Sequence, residues 1–154
     1  MAELYGNFTK SLDPKGRLAI PVKHRNAFPE DQRDVVYITR GTDKCLKAYY
    51  AHEWQAFVDR IVNIANNSPI DKEILIREFI GRASKSFFDK QGRVTIPGDL
   101  IEYAGLMDAN EVIVVGCYDN LEIWNVEIYK SKQPAADEAV KRLLGGSKKE
   151  SASA

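Results

Sequence analysis

Two cysteines and two histidines are all that the 154-residue chain offers of the residues that most often bind metals or perform nucleophilic chemistry. Cys45 and Cys117 lie far apart, without the close spacing of a metal site. Both sit in apolar strand-like stretches, so each is expected to be reduced and buried or half-buried. His24 and His52 show no Ser/His/Asp or H-x-x-x-H arrangement. His24, in a basic cluster, reads as a surface or helix-start residue, and His52 as the start of a helix. No glycine-rich phosphate loop is present. Asp13 and Asp89 could be imagined as a carboxylate pair, but turn chemistry accounts for both. Catalysis, a cofactor and a metal are therefore not expected.

Long apolar runs are missing as well. No stretch of eighteen apolar residues exists, so a membrane span is not expected. The start, "MAELYGNFTK", lacks a basic segment followed by an apolar core, so no secretion signal is expected. Net charge is absent too, with 22 basic and 22 acidic residues. Non-specific coating of nucleic acid scales with phosphates neutralised, which a neutral chain does poorly. The charge is uneven, however. Lys10, Lys15, Arg17, Lys23 and Arg25 face a single acid, Asp13, within one short segment.

What the chain does contain is a repeat. "LDPKGRLAIP" at residues 12–21 returns as "FDKQGRVTIP" at residues 88–97. Asp13, Gly16, Arg17, Ile20 and Pro21 recur as Asp89, Gly92, Arg93, Ile96 and Pro97. The blocks open 76 residues apart, at Leu12 and Phe88. A second pair follows in the same order: "VVYITRGTDKCLKAYY" and "EVIVVGCYDNLEIW", with second strands opening at Leu46 and Leu121, 75 residues apart. An aromatic lies five residues beyond Tyr49 (Trp54) and five beyond Trp124 (Tyr129). Two blocks at nearly one offset indicate a tandem duplication.

Each copy reads strand, loop, strand, short helix, strand, turn, strand. The short helices fall near "KHRNAF" and "DLIEYAGL", the latter with Asp99 as a candidate cap and Gly105 near its end. Between the copies, Trp54, Phe57, Ile61 and Ile64 form an amphipathic stripe that Asn66, Asn67 and Ser68 interrupt. Ser68 then offers an N-cap, with Pro69 first and Asp71 third in a following helix. The pair reads as a helical hairpin whose stripe packs within the chain, or against another subunit. Residues 134–154 read as a largely disordered tail with a helical turn or two near "DEAVKRLL".

The loop has two readings. In the structural one, the Asp accepts backbone N–H bonds within the turn and the Gly takes a positive φ. That explains Asp13, Gly16, Asp89 and Gly92. Arg17 and Arg93 then lie on the polar face of a strand, where each can pair with its motif aspartate. Alternation sends Leu18, Ile20, Val94 and Ile96 to the opposite face. In the functional reading, each loop tips a two-stranded ribbon that enters the major groove, two ribbons per chain. Arg17 and Arg93 would contact a base edge or a phosphate, Lys15 would add charge, and Gln91 would stand in its place in copy two.

These two motifs, with "IP" after each and a helical linker between, resemble the tandem motifs of the MraZ family of bacterial transcriptional regulators, relatives of AbrB-type swapped-hairpin DNA-binding domains. The likeness runs from about Tyr5 to Tyr129. It implies an α+β fold, with two AbrB-like swapped-hairpin units forming a pseudo-twofold β-barrel core and a linking helical hairpin. The units would span residues 7–54 and 83–126, with the linker at 55–82. It further implies a ring-shaped homo-oligomer in the cytoplasm, on the nucleoid. That ring would bind double-stranded DNA at repeated promoter elements of the division and cell-wall gene cluster, its own gene included. Lys15, Arg17, Arg93 and Gln91 would be the DNA contacts. The change from Lys15 to Gln91 suggests unequal halves. A rival reading is an AbrB-like antitoxin or protein-interaction ring with no specific DNA target.

Overall fold

The computed structural model describes residues 3–64, 68–109 and 111–145. The first copy supplies β1 (Asn7–Lys10), β2 (Arg17–Ala19), α1 (Val22–Ala27), β3 (Val35–Arg40) and β4 (Leu46–Tyr49). Two helices follow, α2 (Ala51–Asn63) and α3 (Pro69–Leu75), the latter continuing as a π-helical turn over Ile76–Ile80. The second copy gives β5 (Ser84–Phe87), β6 (Arg93–Thr95), α4 (Gly98–Tyr103), β7 (Val112–Gly116) and β8 (Leu121–Asn125). Helices α5 (Val126–Ser131) and α6 (Gln133–Val140) close the described chain.

The strands pair across the copies. A six-stranded sheet runs β1-β7-β8-β4-β3-β5, antiparallel at every pairing. Exchanging the copies reverses this order and leaves it unchanged. Each copy's opening strand therefore completes the other copy: β1 on β7, β5 on β3. This is the swapped arrangement with a pseudo-twofold axis that the family resemblance implies. The core is an open sheet, with β1 and β5 as its edges, plus a two-stranded ribbon of β2 and β6. Leu18, Ile20, Val94 and Ile96 on the ribbon, Val36 and Ile38 on β3, and Leu121 and Ile123 on β8 belong to one buried cluster. Each such side chain contributes about 1.5–3 kcal/mol by leaving water.

The linking helices pack as their stripe predicts. Trp54 stacks on Tyr37 with centroids 5.4 Å apart, and Phe57 on Tyr49 at 5.0 Å. Ile61 is buried, whereas Ile64 is exposed. The Ser68 hydroxyl accepts from the N–H groups of Ile70 and Asp71, the expected cap. Asn66 and Asn67 lie outside the described residues, as do residues 146–154. The helix over "QPAADEAV" is longer than the turn or two expected, continuing through Lys141–Gly145 with no residue buried.

Two expectations need correction. Asp99 does not cap α4: Pro97 holds the cap position without a side-chain bond, and Asp99 sits in the first turn, 3.5 Å from Arg82. Of the two readings of His24, the helix start holds, since it lies in the first turn of α1, but the surface does not, since it is 1% exposed. Its Nε2 lies 3.0 Å from the Tyr5 carbonyl and 3.1 Å from that of Gly6, so Nε2–H is the donor. His52, by contrast, is where expected, at the start of α2. Cys45 is buried and Cys117 half-buried, both as free thiols. Burial pushes their thiols up, to about 12 for Cys45 and about 11 for Cys117.

Candidate nucleic-acid interface

Both loops fold by the turn chemistry read from the sequence, in duplicate. Asp13 Oδ1 accepts from the backbone N–H of Lys15 (2.9 Å) and Arg17 (2.8 Å). Asp89 Oδ1 accepts from Gln91 and Arg93 at 2.9 Å each. Gly16 and Gly92 both take a positive φ, +79° and +77°. The arginines are part of the same machinery. Arg17 Nε donates to Asp13 Oδ2 at 2.6 Å, and Arg93 Nε to Asp89 Oδ2 at 2.9 Å. Hydrogen bonds from the Arg17 and Arg93 amides, and then from their guanidinia, hold both carboxyls below the usual aspartate range.

A guanidinium bonded through its Nε still has terminal N–H groups able to donate. The Asp orients the fork without consuming it. Each arginine remains about a third exposed, 34% for Arg17 and 28% for Arg93. Arg93 also reaches across the copies, its Nη1 3.7 Å from Asp13 Oδ2.

The ribbon itself differs from expectation. Two separate hairpins were anticipated, one per copy. Instead β2 and β6 pair with each other, with Arg17 opposite Thr95, Leu18 opposite Val94 and Ala19 opposite Arg93. Ile96 N–H donates to Gly16 O and Ile20 N–H to Gly92 O at the two ends. Opposed residues share a face. Arg17, Ala19, Arg93 and Thr95 therefore form one outer face, with the arginines on its diagonal, while Leu18, Val94, Ile20 and Ile96 are buried beneath. Across each loop itself, hairpin pairing among the described residues is reduced to a single bridge, Leu12 with Leu18, in the first copy.

Lys15 and Gln91 are exposed at the loop tips. Aligning position by position, Lys90 of copy two stands where copy one has Pro14, and it too is exposed. Each loop thus carries one lysine, which a comparison of Lys15 with Gln91 alone overlooks. Sequence reading also missed Arg25 and Arg33, which flank the second loop: Arg25 Nη1 lies 4.0 Å from where a Cβ on Gly92 would be. The basic cluster running from Lys10 into α1 was the available signal for Arg25; nothing local marked Arg33.

Among the described residues, no group of three or more His, Cys, Asp or Glu is gathered in a way that could hold a metal ion. No described helix is long and apolar enough to cross a membrane.

The chain matches the family model described as "MraZ protein, putative antitoxin-like" over residues 4–77 and 79–141. It is similar to a protein of Limosilactobacillus fermentum named Transcriptional regulator MraZ, 37% identical over 141 residues, covering 92% of this chain and 94% of that one. A protein of the same name from Thermomicrobium roseum is 39% identical over 122 residues, covering 79% and 81%. Another from Halothermothrix orenii is 32% identical over 138 residues, covering 90% and 92%.

Proposed function

The chain belongs to the MraZ family, and from that premise we propose that it regulates transcription by binding DNA through the outer face of the β2–β6 ribbon. The observation that supports this most directly is the diagonal placement of Arg17 and Arg93 on one exposed face, each held in orientation by its own aspartate. A pre-oriented guanidinium suits bidentate bonding to a guanine edge in the major groove. Lys15 and Lys90 at the loop tips supply phosphate attraction, since Asp13 and Asp89 offset the arginine charges. Gln91 adds a neutral hydrogen-bonding tip. Transcriptional regulation is not an enzyme class, and no catalytic step is assigned.

The preferred targets in this reading are repeated promoter elements of the division and cell-wall gene cluster, including the chain's own gene, bound by a ring of copies. Avidity would then multiply a modest affinity per ribbon. Val62, Ile64, Ile70 and Ile74 on the linking helices are exposed and give neighbouring copies apolar surface to bury.

A gel shift on the DNA upstream of the gene tests the reading. Arg17→Ala or Arg93→Ala should lose about 1–3 kcal/mol per bidentate contact, roughly a 5–150-fold weakening. A folded variant that binds like the parent would remove that arginine from the interface. Failure of the parent chain to bind would favour a protein-binding role, which the words "antitoxin-like" in the family description leave as the rival. Light scattering at micromolar concentration tests the ring, and a monomer would refute it.

A further inference from the structure

The two shoulders of the ribbon are equivalent under the pseudo-twofold axis but are built from different chemistry. Beside the first loop, a cavity of about 190 Å³ is bounded by Leu12, Pro14, Ile101, Leu106, Met107 and Ala109 around the loop backbone. Beside the second loop, a cavity of about 380 Å³ is lined by Ala19, Ile20 and Val22 and otherwise bounded by Lys10, Arg25, Asn26 and Arg33, with Gln91 and Gly92. The 76-residue offset places Arg25 where copy two has Ile101, and Arg33 where it has Ala109. The exchange is visible at the glycines. A Cβ on Gly16 would meet Ile101, whereas one on Gly92 would meet Arg25. One shoulder is therefore lined by apolar side chains and Asp13, with no cation. The other presents three cations and no carboxylate in its lining.

Two of these cations are held in place. Arg25 Nε donates to the Arg33 carbonyl at 2.8 Å, and its guanidinium lies over the Phe88 ring, 4.0 Å from the centroid. Arg33 donates through Nε to Phe28 O (3.0 Å) and through Nη2 to Asn26 O (2.8 Å). Every one of these partners is a neutral carbonyl or a ring. Among the described residues, Lys10, Arg25 and Arg33 have no ion-pair partner, although six other basic residues do. Like charges gathered without counter-charge repel one another. Fixing their side chains in advance lowers the entropy lost when an anion arrives. The remaining N–H groups of two guanidinia match the oxygens of a phosphate.

Taking the ribbon face as the DNA-binding surface, we infer that this cavity holds one phosphodiester of the DNA backbone. The second-loop shoulder grips the backbone and the first-loop shoulder does not. The inequality between the halves then lies less in Lys15 against Gln91 than in Arg25 and Arg33 against Ile101 and Ala109.

The test is fluorescence anisotropy with a duplex from upstream of the gene, titrated at several salt concentrations. The parent chain is compared with Lys10→Gln and Arg25→Gln. Arg25→Gln also removes packing on Phe88, so Lys10→Gln, whose ammonium makes no hydrogen bond or ion pair among the described residues, guards against a mere folding defect. Both variants should weaken binding to any duplex alike. The slope of log K against log salt should flatten by roughly 0.9 for a lost phosphate contact. If the parent binds DNA and both folded variants keep its slope, the phosphate cavity is refuted while the ribbon reading survives. If the parent binds no DNA, the ribbon reading fails and takes this inference with it. A second arm uses inorganic phosphate and the ¹⁵N spectrum. Shifts at Gly92 and Arg25 Nε, without shifts at Gly16, support the asymmetry; equal shifts at both glycines overturn it.

Discussion

Gly16 and Gly92 occupy the same place in the same motif, yet alanine should not be tolerated equally at the two. Both backbones are left-handed, φ +79° and +77°, so either substitution incurs about 1–2 kcal/mol of conformational strain. At Gly92 little else follows, because the nearest neighbour of a new Cβ is Arg25 Nη1 at 4.0 Å, the end of a long side chain. At Gly16 the same atom would sit 3.0 Å from Ile101 Cδ1 and 3.1 Å from the Ile96 carbonyl oxygen. Ile101 is 6% exposed, and the Ile96 backbone is committed to the ribbon, its N–H donating to Gly16 O. Neither can retreat freely, and overpacking of this kind adds about 1–3 kcal/mol. Gly92→Ala should therefore cost about 1–2 kcal/mol and Gly16→Ala about 2–5 kcal/mol. At roughly 2–4 °C per kcal/mol for a chain of this size, the midpoints of the two variants should differ by several degrees. Urea and thermal unfolding followed by the fluorescence of Trp54 and Trp124 would measure it. Equal losses, or a larger loss at Gly92, would refute the claim that the two shoulders differ.

Three further outcomes follow from the same structure. Burial depresses the His24 pKa below its ordinary value of 6.5, against the upward pull of the Tyr5 and Gly6 carbonyls. The unfolded chain then binds the proton first, so stability is intact above pH 6.5 and declines as pH falls through the folded pKa. His24→Gln should flatten that decline in a pH series of unfolding curves, and an unchanged slope would rule His24 out as its source. Ser68→Ala should cost about 1 kcal/mol by uncapping α3, seen as faster amide exchange at Ile70 and Asp71; exchange as slow as in the parent would deny the cap any weight. Cys45 and Cys117, with thiols raised to about 12 and about 11, should be alkylated by iodoacetamide at pH 8 far more slowly than a free thiol. Rapid labelling of Cys45 in the folded protein would contradict its burial.

Much of this architecture was written locally and could be read locally. The Asp-x-x-Gly turns, the alternation that buries Leu18 and Val94, and the Ser68 cap depend on neighbours a few residues away. What escaped depends on distant partners. Nothing near Arg17 announces that its strand will pair with Thr95 of the other copy rather than fold back in its own hairpin. His24 looked like a member of a basic surface because the carbonyls that bury it belong to Tyr5 and Gly6, nineteen and eighteen positions earlier. Asn125 ends β8, and its side chain also caps α5 and donates to Gly105 O, a partner twenty positions away. The arginines are the instructive case. The sequence left folding and recognition as alternatives, whereas the geometry has Nε serving the loop while the side chain as a whole stays about a third exposed, 34% for Arg17 and 28% for Arg93.

The exchange of opening strands also sets a timetable. β1 leaves the ribosome well before its partner β7, which lies about a hundred residues later, Asn7 against Val115. At roughly 5–20 residues per second, the first strand waits on the order of 5–20 s for the backbone that will satisfy it. During that interval β3 likewise lacks β5. Another nascent chain of the same kind, one ribosome ahead on the same message, already displays the missing strand in the correct register. The native hydrogen bonds and those of an entangled pair of chains are the same bonds, so only the proximity of a chain to itself decides between them.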